Sequence, residues 1–131
     1  IGRCDEAYLK KIGADKGSMR LVDAATIAGI YSGMGPAMEM SGGSAANTIA
    51  GVASFGGTSG FIGKVADDEF GRIFSHDIRS IGVTFASAPV AGSQPTSRSL
   101  ILVTPDGERT MNTYLGISTD LDQIARIRHD G

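Results

Sequence analysis

Residues 67–82, DDEFGRIFSHDIRSIG, place Phe70, Ile73, Phe74, Ile78 and Ile81 at the i, i+3, i+4 recurrence of one helical face, behind three acids that suit the positive pole of a helix. A helix with a single apolar face must bury it against another layer. The neighbouring runs supply that layer: TSGFIGKV on one side, TFASAPV and SRSLILVT on the other, are rich in residues that favour strands.

The rest of the chain continues the alternation. Asp5 is placed to cap a helix over EAYLKKIG, whose Lys10 and Lys11 suit its C-terminal end, and Asp23 to cap one over AATIAGIYSGM, with Ile27, Ile30, Tyr31 and Met34 on one face. AMEMS alternates like a strand, and SAANTIAGVASF reads as a helix burying Ile49, Val52, Ala53 and Ala45. PDGE carries turn chemistry between SRSLILVT and RTMNTYLG, predicting a hairpin closed around Asp106–Gly107, and TDLDQIARIRHDG reads as a helix capped by Thr119 or Asp120. Strands alternating with helices, plus a separate run of strands, predict an α/β sheet with a small β appendage.

A chain of 131 residues suits one domain with one core. Its net charge of −2, without a basic block, excludes nucleic-acid binding by counterion release, so small molecules are the expected partners. No run approaches the roughly 18 apolar residues of a membrane span, and the single cysteine, Cys4, cannot form an internal disulfide. These features predict a cytoplasmic protein without membrane contact. The first residue is Ile1, and IGRC starts as though already inside a strand, which predicts a fragment.

Several signatures fail on spacing. A phosphate-cradling loop ending at Gly63–Lys64 would need glycine where Thr58 stands and Ser or Thr where Val65 stands. A dinucleotide fingerprint from Gly33 would need glycine or alanine at Met38. Cys4 with His76 or His129 has nothing local to orient a thiol and its base, and the three give no metal-ligand spacing; Cys4 reads as core filler and His76 as a solvated residue beside Arg72 and Arg79. Asp67, Asp68 and Glu69, at a helix start, read as capping rather than Mg²⁺ ligands.

Residues 41–57, SGGSAANTIAGVASFGG, leave two readings open. Gly42 and Gly43 could serve close packing, with Ser44 and Asn47 as caps. Alternatively, bare glycine backbone at a helix N-terminus, with Ser44 and Asn47 beside it, makes a polar floor; an amide that donates and accepts matches a vicinal diol, whose hydroxyls do the same.

The stretch GGSAANTIAGVASFGGTSGFIGKVADDEFG resembles the first signature of the ribokinase and adenosine kinase (PfkB) family of carbohydrate and nucleoside kinases: paired glycines, an asparagine four residues on, a small-residue helix, then G-x-VADDEFG. Ser44, where the ribokinase branch typically has lysine, is nearer the adenosine kinase-like branch. RCDEAYLKKIG, GSMRLVDAA and RTMNTYLGIS are similar to the N-terminal part of that branch. The resemblance implies a ribokinase-like fold, a mainly parallel sheet with flanking helices and a small β lid, with lid strands at about 1–4, 36–41, 97–104 and 109–116. It implies ATP-dependent, Mg²⁺-requiring phosphoryl transfer to the hydroxymethyl group of a sugar or nucleoside. Gly42, Gly43, Ser44 and Asn47 would bind that substrate; Arg109 and Asn112 would lie near the cleft mouth, Arg109 close to transferred phosphate unless it is merely a solvated surface residue.

The family's later Gly-Ala-Gly-Asp motif, which supplies base and anion hole, does not occur among these 131 residues. The resemblance therefore implies no catalytic residue and no metal ligand here, an ATP site mostly outside this segment, and no phosphoryl transfer by the segment alone. Sheet edges and apolar surface left without their other half would favour association, including a homodimer through lid strands. A non-catalytic sugar- or nucleoside-binding module and a dimerisation module are the competing readings.

Overall fold

The computed structural model describes residues 1–121, and these fall into two compact units. The first comprises residues 1–39 and 97–116; the second comprises residues 40–96 and continues from residue 117.

The first unit is a four-stranded mixed sheet with two helices. Strands β1 (Gly2–Arg3), β2 (Met19–Leu21), β3 (Arg98–Val103) and β4 (Arg109–Tyr114) lie in the order β1-β3-β4-β2. β3 and β4 form the expected antiparallel hairpin, from Arg98 opposite Tyr114 to Val103 opposite Arg109, while β1 on β3 and β2 on β4 pair in parallel. In the turn, the Gly107 N–H donates to the Thr104 carbonyl at 2.8 Å, and Gly107 adopts φ +86°, a conformation L side chains rarely take.

Helices α1 (Glu6–Lys11) and α2 (Ala24–Gly33) cover one face of the sheet. Leu9, Ile27 and Ile30 meet Leu100, Leu102 and Tyr114 in a core that Cys4, Tyr8 and Met34 flank. Helix α2 comes close enough to α1 that a Cβ at Gly33 would strike the Tyr8 hydroxyl, which itself donates to the Ile30 carbonyl at 3.0 Å. Arg20 of β2 points into the unit: its Nε donates to Asn112 Oδ1 at 2.6 Å, while its two terminal nitrogens donate to the Gly13 and Ile12 carbonyls at 2.9 Å. One guanidinium thus joins the carbonyl end of α1 to two strands. Since β2 alternates, Met19 and Leu21 emerge exposed on the opposite face.

The second unit holds α3 (Ser44–Ser54) and α4 (Glu69–Ser80) around Ala46, Val65, Ile78, Val83 and Phe85, with Ile49, Ala53, Phe61 and Phe74 packed against them. Phe61, Phe74 and Phe85 form an aromatic triangle with centroids 5.5–5.9 Å apart, Phe74 and Phe85 meeting edge to face at 88°. The face of α4 that turns inward includes Gly71 and Ser75 beside Phe74 and Ile78, whereas Ile81 stays 46% exposed. On α3, Ala46 is buried, Ile49 and Ala53 are half-buried, and Val52 and Ala45, expected inside, are exposed. A helix made mostly of small residues has little apolar asymmetry to fix its rotation.

Three expected strands are not formed. TSGFIGKV and TFASAPV touch only at isolated parallel bridges, Gly60 with Thr84 and Ala66 with Val90; within the described residues they have no third strand beside them, and parallel pairing of two segments is weak. The strand expected at 36–41 shrinks to one antiparallel bridge, Ala37 with Gly2, backed by mutual backbone bonds of 2.8 Å between Ile1 and Met38. Met38 and Met40 are both 66% exposed, so the alternating side chains bury no face that would extend the ladder. β2 is a strand the sequence did not suggest. Thr119 and Asp120, the expected caps of a C-terminal helix, fall in a 3₁₀ helix, Gly116–Asp120; the rest of that expected helix from residue 122, with His129, lies outside the described residues. No described helix is long and apolar enough to cross a membrane.

Candidate functional site: the start of α3

The four described α-helices start in two ways. Asp5, Asp23 and Asp68 each accept from the backbone N–H three residues on, at Tyr8, Thr26 and Gly71, at 2.8 Å. Helix α3 has no side-chain cap and no acid in its first turn. Its cap position is Gly43, at φ +106°, so Ser44 lies inside the helix and neither it nor Asn47 is the cap expected of them. The first-turn N–H groups therefore have no carboxylate to satisfy them, and the positive pole of the helix is bare.

Gly42, Gly43, Ser44 and Asn47 are all exposed and adjoin one another in the second unit. Asn47 follows Gly43 by four residues and Ser44 by three, which puts its side chain on their side of the helix. Its backbone N–H donates to the Gly43 carbonyl at 2.8 Å, but its side-chain amide makes no hydrogen bond within the described residues. The two glycines differ in what they require. Gly43 needs its positive φ, whereas Gly42 has no such angle and an added Cβ there would meet nothing within 4 Å. Among the described residues nothing calls for glycine at position 42.

Arg109 belongs to the first unit, at the start of β4, exposed and without a hydrogen bond or ion pair among the described residues. Asn112, expected near a cleft mouth, is instead 0% exposed: its Oδ1 receives the Arg20 Nε and its Nδ2 is buried without a partner. The β4 period sends Thr110, Asn112 and Tyr114 inward, and Arg109 falls on the opposite face.

The discarded candidates have occupations of their own. Lys64 Nζ donates to the Asp120 carbonyl at 2.8 Å. Asp67 pairs with Arg72 at 3.2 Å, and Asp68 Oδ1, besides capping Gly71, accepts from the Thr96 hydroxyl at 2.7 Å while its Oδ2 accepts from the Thr96 N–H at 2.9 Å. Burial, with the Asp5 carboxylate adding to it, pushes the Cys4 thiol up, away from a nucleophilic thiolate. His76 is exposed, its Nδ1 3.3 Å from Asp77 Oδ1.

Two contacts in the second unit had no local signal. Thr96 is 28 residues from Asp68, and its hydroxyl also accepts from the Ala66 N–H at 2.9 Å. Ser41, directly ahead of the glycine pair, donates from Oγ to Asp77 Oδ2 at 2.6 Å across 36 residues.

The pattern of the family described as pfkB family carbohydrate kinase matches residues 37–129. Among solved structures, adenosine kinase from Sinorhizobium meliloti is 56% identical with a TM-score of 0.85, over 92% of this chain and 37% of that one. A probable sugar kinase protein from Rhizobium etli CFN 42 is 50% identical with the same TM-score, over 92% of this chain and 36% of that one. Fructokinase from Klebsiella pneumoniae is 38% identical over 89 residues, 68% of this chain and 29% of that protein. The chain thus spans about a third of the length of such relatives.

Proposed function

The chain belongs to the pfkB family of carbohydrate kinases, and from that premise we propose that it carries the acceptor floor of a kinase that moves the γ-phosphoryl group of ATP to the hydroxymethyl group of a sugar or nucleoside. Gly42 and Gly43 let the acceptor approach the bare start of α3. Ser44 and Asn47 then hold neighbouring hydroxyls, the Asn47 amide donating to one and accepting from the other. Fixing the acceptor in this way contributes orientation, the part of phosphoryl transfer that depends most on placement.

One observation carries the reading: among the described residues, the start of α3 combines first-turn N–H donors without a side-chain cap, an asparagine amide without a hydrogen bond and a glycine at 42 that no contact explains. The printed names of relatives divide between fructokinase and adenosine kinase. Fructose and adenosine both offer adjacent hydroxyls and a hydroxymethyl group, so the floor suits either. Arg109 is the residue we assign, beyond the floor, to the phosphate that is transferred, because it is exposed and unpaired among the described residues.

Arg109 apart, we assign none of the described residues to ATP or Mg²⁺. Among the described residues no three His, Cys, Asp or Glu side chains gather as a metal site, Asp67 and Asp68 are already engaged, and Lys64 is held by a backbone carbonyl. No step through the nucleotide or the metal follows from this chain.

Calorimetric titration of the full-length protein with adenosine and with fructose tests the floor. Asn47→Ala should weaken the preferred acceptor by about 1–3 kcal/mol, the range for hydrogen bonds lost from a binding site, with an unchanged thermal midpoint. Unchanged affinity would overturn the assignment.

A further inference from the structure

The glycine pair that makes the floor accessible also makes it loose. Neither Gly42 nor Gly43 has a side chain to pack, and nothing lies within 4 Å of where a Cβ would stand at either. Backbone of this kind loses much freedom when it is fixed, and a binding surface that must be ordered by its ligand binds more weakly than one already in place. Downstream, the loop is held by α3 itself, since the Asn47 N–H returns to the Gly43 carbonyl. Upstream, the neighbouring residue Ser41 is half-buried and its hydroxyl is bound to Asp77 at 2.6 Å.

Asp77 stands on a firm base. The next residue, Ile78, is buried with Ala46 of α3 in the core of the second unit, and Phe74 on the preceding turn belongs to the aromatic triangle. Both helices thus contribute to one core, and a bond from α4 to Ser41 fixes the loop to the same body that carries Ser44 and Asn47. The Ser41 hydroxyl, and after it His76, also holds the Asp77 carboxyl below the usual aspartate range, as expected where a hydrogen bond favours the charged acceptor.

Resting on the reading of the α3 start as the acceptor floor, we infer that Asp77 is a positioning residue for acceptor binding: through Ser41 it holds the Gly42–Gly43 backbone in the binding-ready conformation without touching the acceptor.

The test measures acceptor affinity by calorimetry, with adenosine and fructose as probes, alongside the thermal midpoint of the full-length protein. Asp77→Ala and Ser41→Ala should each raise the acceptor Kd by about three- to tenfold, the effect of one charge-assisted but partly solvated hydrogen bond, with little change in thermal midpoint. Ser41→Ala/Asp77→Ala should be no worse than either single change, because both remove the same bond. Ser41→Thr, which keeps the hydroxyl, should restore wild-type affinity, and Asp77→Asn, which keeps an acceptor oxygen, should fall between. A merely structural role would lower the midpoint and would not show this order. If Asn47→Ala weakens binding while the Ser41 and Asp77 variants bind like wild type, the floor stands and the positioning role is wrong. Multiplicative effects in the double variant would also overturn it. If Asn47→Ala has no effect, the floor reading fails and the role of Asp77 fails with it.

Discussion

Helices α3 and α4 share one core and start on opposite principles. At α4 side chains hold the start together: Asp68 caps Gly71 and grips Thr96, Thr96 grips Ala66, and Gly71 is so enclosed that a Cβ would overlap the Ala66 carbonyl oxygen. At α3 no side chain caps the first turn, and the glycine at 42 stands in open space. Glycine therefore stands in contrary surroundings 29 residues apart in the same family signature. At position 71 it is demanded by the protein's own packing, and at position 42 no contact among the described residues demands it. A helix start that satisfies itself is architecture, and one left unsatisfied is available for chemistry.

The sharpest way to break this contrast is Gly71→Ala. The added methyl must displace backbone rather than a flexible side chain, and it would press on Asp68 Oδ1 and the Thr96 hydroxyl as well. The expected loss is about 3 kcal/mol, at the upper end for overpacking, read as a lowered midpoint in urea unfolding. A variant as stable as wild type would show that the turn at α4 is not crowded after all.

Asp68→Ala comes next. It removes the cap of α4 and both bonds to Thr96 while leaving the core side chains in place. A lost cap costs about 1 kcal/mol and the Thr96 bonds add to that, so roughly 2 kcal/mol is expected in the same unfolding measurement. If the loss were no larger than that of an ordinary cap, the Thr96 contacts would contribute nothing.

How legible each start was follows from the range of its interactions. The caps at Asp5, Asp23 and Asp68 reach three residues along the chain, and the β3–β4 hairpin closes around Asp106–Gly107, so local sequence announces them. The inward face of α4 was only partly visible, because Gly71 and Ser75 carry no apolar signal. β2 was hidden for a related reason: its inward residue is Arg20, and its apolar residues face out. The parallel bridges near Gly60 and Ala66 depend on partners 24 residues away, and the Ser41–Asp77 bond spans 36. The floor residues themselves were legible as residues. What the sequence left undecided at Gly42, packing against binding, turns on contacts it cannot show: no described residue packs there.

That emptiness yields the smallest expected effect on folding and the most direct probe of the contrast. Gly42→Ala introduces one methyl where nothing lies within 4 Å and where no left-handed backbone angle is at stake. Unlike Gly43→Ala, which would strain a residue at φ +106°, it should leave unfolding free energy within about 0.5 kcal/mol of wild type, as for surface changes that touch nothing. The same methyl would project into the space an acceptor needs above the start of α3, so acceptor affinity should fall while stability does not. Paired with Gly71→Ala, the measurement separates two glycines by consequence: one change unfolds without reference to ligand, and the other is felt only when the acceptor is added. Should Gly42→Ala destabilise the protein in the absence of any ligand, position 42 would be a packing glycine like position 71, and the bare start of α3 would lose its claim to be a binding surface.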